Sequence, residues 1–100
     1  MQKSRLAEEK ILATWTVKVS SKAERYVIKL DRILKERIKK ELTSLSECEN
    51  PLSHENVKPL TGDLRGFYRM RIGHYRIIFA IIKETKTIAV VNIAPRGDVY

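Results

Sequence analysis

Four arginines in the last third of the chain are the residues best suited to chemistry. Arg69 and Arg71 stand two apart in Tyr68-Arg69-Met70-Arg71-Ile72, Arg76 follows just beyond Gly73-His74, and Arg96 comes after Pro95. In a strand, residues two apart share a face, and cross-strand neighbours approach within about 5 Å. A hairpin turning at Gly73-His74 therefore sets Arg76 beside Arg69 and Arg71, and Arg96 lies where the chain can carry it back over the sheet, with Tyr100 a few residues on. Like charges repel, so gathering guanidinium groups does not serve stability. Arginine binds phosphate through paired donors, and the site inferred is a phosphate clamp. Arginines scattered over the surface of a basic protein are the plainer alternative.

Other chemistries find little support. Cys48 is the only cysteine, which excludes an internal disulfide and a thiolate zinc site. His54 and His74 lack metal-ligand spacing. No glycine-rich loop opens a helix, and Ser20 and Ser21 lack the context of a nucleophile elbow. No metal and no cofactor are expected. His74, placed in a turn, reads first as a surface residue and second as a proton-transfer group.

The elements that must position the arginines follow from periodicity. Trp15–Val19 alternates as a strand. Ser20 or Ser21 can cap a helix after it. Apolar residues then recur every three or four positions from Ala23 to Leu45, the mark of helix with one buried stripe, and Asp31 can cap a second helix beginning at Arg32. The cationic run Lys35–Lys40 reads most simply as a solvated face. Residues 48–66, with Pro51, Pro59 and Gly62, read as a loop. Phe67–Ile72 is a strand with Tyr68, Met70 and Ile72 on one face and Arg69 and Arg71 on the other. Gly73-His74 suits a type II′ turn. Tyr75–Ile82 is a nearly continuous apolar strand, expected near the middle of a sheet. Lys83–Lys86 is a polar turn, and Thr87–Ala94 a third strand that Pro95 ends.

The expected fold is α+β: a small antiparallel sheet in the order β-α-α-β-β-β, with a helix pair packed on one face. Residues 1–13 form an arm or short helix, and residues 14–100 the domain. The helices must cover the face that Met70 and Ile72 share, which leaves the arginine face bare.

One hundred residues suit one domain with one core. Lys plus Arg number 20 against 12 Asp plus Glu, a net charge of +8, which favours a polyanionic partner. No apolar run approaches a membrane span. The charged start MQKSRLAEEK has no signal-peptide core, and with a lone cysteine this points to the cytoplasm.

The block Gly66-Phe67-Tyr68-Arg69-Met70-Arg71-Ile72-Gly73-His74-Tyr75-Arg76-Ile77-Ile78-Phe79, followed by Pro95-Arg96-Gly97-Asp98-Val99-Tyr100, resembles the RelE branch of the RelE/ParE toxin superfamily. The helical stretch matches more loosely, and the likeness spans residues 14–100. The Pro-Arg-Gly-Asp-x-Tyr ending favours RelE over the gyrase-directed ParE branch. The resemblance implies the toxin of a type II toxin–antitoxin system. It implies a ribosome-dependent endoribonuclease that cuts mRNA in the A site, beside 16S rRNA, without metal. The 2′-hydroxyl attacks the adjacent phosphate, giving a 2′,3′-cyclic phosphate and a 5′-hydroxyl. A cognate RelB-like antitoxin is the implied protein partner. Carried over by position, Arg76 binds the scissile phosphate, Arg96 stabilises the transition state or leaving group, and Tyr100 stacks on or orients the base. Arg71 joins this catalytic set. Arg69, Arg71, Arg65 and His74 are the expected RNA contacts. Well-known relatives carry lysines where this chain has Arg69 and Arg71, one of them proposed as the general base. Arginine, with a pKa above about 12, is a poor base at neutral pH. Two alternatives remain: a ParE-like inhibitor of DNA gyrase, and a catalytically weak RNA-binding relative.

Overall fold

The computed structural model describes residues 14–95. The expected N-terminal arm, together with Arg96 and Tyr100, lies outside the described residues.

The chain begins with strand β1, Thr16–Val19. Thr14 N and Trp15 N both donate to Ser46 O, at 3.0 and 2.9 Å, which ties its start to the helix layer. Helix α1, Ser21–Ile28, starts where Ser20 Oγ accepts from Ala23 N at 3.1 Å. The same hydroxyl donates to Val91 O at 3.1 Å, so one side chain caps the helix and fastens it to the sheet. Helix α2, Arg32–Glu47, opens on Asp31, whose carboxylate accepts from Leu34 N at 2.9 Å. The break between the helices falls where the capping residue predicts it.

Strand β2, Val57–Pro59, comes next, then β3, Tyr68–Ile72, β4, Tyr75–Ile82, and β5, Thr87–Pro95. The sheet order is β1-β5-β4-β3-β2, so the continuous apolar strand β4 is its centre. Gly73 has φ of 58° and His74 a negative φ, as a type II′ turn requires.

The α+β class and the helix pair on one face are as the sequence implied, with two differences in the sheet. First, β1 pairs parallel with β5, from Thr16↔Thr87 to Val19↔Val90, so the sheet is mixed rather than antiparallel. Second, the stretch 48–66 is not all loop. Val57–Pro59 is an edge strand antiparallel to β3, flanked by single 3₁₀ turns at Pro51–Ser53 and Gly62–Leu64. Three residues are too few to show a period, and the proline belongs where it is found, at the end of an edge strand.

The core lies between the helices and one face of the sheet. Ala23, Ile38, Leu42 and Leu45 from the helices meet Met70, Ile72, Ile77, Phe79, Ile88, Val90 and Ile93 from the strands. Burying a large apolar side chain contributes about 1.5–3 kcal/mol. This face therefore carries the stability that allows the opposite face to be polar.

Candidate functional site

The register of the meander decides what the opposite face presents. Met70 pairs with Ile77 and Tyr68 with Phe79 on the helix side; Arg71 pairs with Arg76 and Arg69 with Ile78 on the other. Arg69, Arg71 and Arg76 thus share one face, two of them directly opposite each other across the hairpin. Two guanidinium groups set directly opposite each other on one face could both reach a single anionic group placed between them. Asn92 opposite Ile78 and Ala94 opposite Arg76 extend the face onto β5.

Two lysines join it. Lys58 of β2 pairs with Arg69, and Lys18 of β1 pairs with Ala89. Sequence reasoning missed Lys58 because it read residues 48–66 as loop, and a strand of three residues carries no periodic signal that could have found it. Lys58, Arg69 and Arg71 line a hollow of about 80 Å³ together with Glu55 and Asn56. A space of that size can take a small anionic group.

The face is not open everywhere. Ile78 is only 2 % exposed there, and the Nε of Arg76 is closed off from solvent. Arg71, by contrast, is exposed, and Arg69 is half-buried.

The remaining sequence-derived residues fall elsewhere. His74 is exposed at the tip of the hairpin and Arg65 is exposed after the Gly62–Leu64 turn; neither lines the hollow. Arg37, from α2, lies over the hairpin tip: a Cβ added to Gly73 would stand 3.1 Å from its Nη1. One side chain of the helix layer thus reaches the turn that sets Arg71 against Arg76. Among the described residues, no group of His, Cys, Asp and Glu has the arrangement of a metal site. No described helix is long and apolar enough to cross a membrane. A larger groove of about 430 Å³, lined by Val17, Val27, Ile38 and Leu42 among others, lies on the helix side and includes none of the arginines.

Comparison with known proteins bears on the whole domain. The family model of the ParE toxin of the type II toxin–antitoxin system parDE matches residues 17–100. No curated protein matches the sequence. Among solved structures, the RelBE2 toxin–antitoxin complex of Mycobacterium tuberculosis aligns with a TM-score of 0.67 at 28% identity, over 83% of this chain and 99% of that one. The archaeal RelE–RelB complex of Pyrococcus horikoshii aligns with a TM-score of 0.68, also at 28% identity, over 86% and 99%. The RelBE complex of Escherichia coli gives 0.64 at 20% identity, over 84% and 98%, a likeness of fold.

Proposed function

This chain belongs to the ParE toxin family of type II toxin–antitoxin systems, within the RelE/ParE superfamily, and from that footing we propose that it is a ribosome-dependent endoribonuclease. The observation that carries this reading is the Arg71↔Arg76 pair on the face turned away from α1 and α2, flanked by Arg69 and Lys58. A surface that sets guanidinium groups opposite one another across a hairpin is suited to a phosphate. The substrate is mRNA in the ribosomal A site, and the 2′-hydroxyl is the nucleophile. Arg76, with Arg96 and Arg71, stabilises charge on the pentacovalent phosphate; Tyr100 orients a base; Arg69 and Lys58 hold the flanking backbone, with Arg65 and His74 as outer RNA contacts. Electrostatic stabilisation of developing charge is usually the largest single catalytic effect, and phosphate geometry suits paired guanidinium donors. A RelB-like antitoxin is the protein partner, by analogy with the complexes to which the chain is similar.

The test is purified protein with programmed ribosomes, read by primer extension. Cuts within the A-site codon are expected, and Arg76→Ala and Arg96→Ala should abolish them while leaving antitoxin binding intact. The matching family model is named for ParE, so DNA gyrase is the rival target. Supercoiling assays run in parallel decide between them: inhibition of gyrase by a chain that leaves mRNA whole would overturn the nuclease reading.

A further inference from the structure

Cleavage by a 2′-hydroxyl needs an acceptor for its proton, and a guanidinium offers only donors. Strand β2 supplies what the arginine strands lack. The turn leading into it sets Glu55 and Asn56 along the hollow that Lys58, Arg69 and Arg71 line. Asn56 O accepts from Arg71 N at 3.2 Å, and Asn56 N donates to His54 Nδ1 at 3.1 Å, so the backbone beside Glu55 is held against β3. Glu55 is the one acidic residue lining the hollow among the described residues, and it is exposed, within reach of a ligand. An ionised carboxylate only accepts hydrogen bonds; an ammonium only donates them, and an amide exchanges no proton in this range. His74, the other candidate acceptor, lies at the hairpin tip outside the hollow.

We propose that Glu55 is the general base of the cleavage, an inference that rests on the ribonuclease reading. A Glu55 carboxylate oxygen takes the proton of the 2′-hydroxyl as the 2′-oxygen forms its bond to phosphorus. The bond from phosphorus to the 5′-oxygen breaks, and that oxygen leaves with a proton from solvent. The products are a 2′,3′-cyclic phosphate and a 5′-hydroxyl, and Glu55 returns its proton to water. Lys58 on β2, Arg69 and Arg71 on β3 and His54 in the preceding turn are the charged and titratable groups around it. Arg71, placed on the scissile phosphate, lines the hollow with the carboxylate, while Lys58 and Arg69 hold the backbone beside it, so the reacting 2′-hydroxyl is brought to the base.

The experiment measures single-turnover cleavage of ribosome-bound mRNA by the full chain across pH, for the parent, Glu55→Gln and Glu55→Asp, with mRNA affinity measured alongside. The parental rate should depend on pH, as a step that needs a proton acceptor does. Glu55→Gln should cut about 10²–10⁴-fold more slowly, the range of general acid–base catalysis. It should lose the pH dependence that the parent shows and bind mRNA at least as tightly, since a negative charge is gone; Glu55→Asp should recover part of the rate. If Glu55 only balances the neighbouring cations, Glu55→Gln will bind more tightly and cut at the parental rate with the parental pH profile, which overturns the proposal. A parent that leaves ribosome-bound mRNA intact sinks the nuclease reading itself, and this inference with it.

Discussion

The two faces of the sheet are built from alternate residues of the same strands, and they differ in almost every respect. On the helix side Met70, Ile77, Phe79 and Val90 are each 1 % exposed or less, and they interlock with α1 and α2. On the other side the same strands carry Arg69, Arg71 and Arg76, with Lys58 at the edge. One face is apolar and packed, and the other gathers like charges, two of them directly opposite each other. A period of two lets a single hairpin do both, so stability and activity should be separable by substitutions one residue apart.

The sharpest break is expected on the buried side. Phe79→Ala removes a fully buried ring stacked 5.9 Å from Tyr68, and should lower the unfolding free energy by about 3–5 kcal/mol in a denaturant titration. Arg76→Ala, on the other face, should leave the packing around Phe79 in place and reduce the cleavage rate about 10²–10³-fold. Should Arg76→Ala unfold the protein while Phe79→Ala spares it, the division of labour between the faces is wrong.

Smaller effects sharpen the contrast. Gly73→Ala strains a positive φ and crowds the Arg37 guanidinium; a cost of about 1 kcal/mol is expected, and thermal unfolding together with the cleavage rate would register the disturbed turn. Ser20→Ala removes the cap of α1 and its bond to Val91 O, for about 1 kcal/mol, with the cleavage rate unchanged. Arg69→Ala and Lys58→Ala should weaken RNA binding without regard to sequence. Each should also shrink the slope of log affinity against log salt by about 0.7, the loss of one phosphate contact to a single strand.

Much of this arrangement was legible before any coordinates. The helix break at Asp31, the Gly73-His74 turn and the opposite facing of Met70 and Arg71 all rest on local rules, because capping, turn chemistry and alternation act over a few residues. The parallel pairing of β1 with β5 was not legible, since nothing in Thr16–Val19 encodes which distant strand it joins. Strand β2 was hidden by its length and its proline, and with it Lys58 and Glu55. Those two residues acquire meaning only when Val57–Pro59 is laid against β3.

The pairing of the first strand with the last reaches further than architecture. The hydrogen bond from Ser20 Oγ to Val91 O spans 71 positions of sequence, so β1 and the cap of α1 have no sheet partner until β5 has been synthesised. Contacts of such separation slow folding, because loop closure must precede the reward. A chain cut short before β5 keeps its arginine hairpin but has nothing to close the core beneath it. Products that end before β5 should therefore be inert, and a working toxin exists only once that strand has been made.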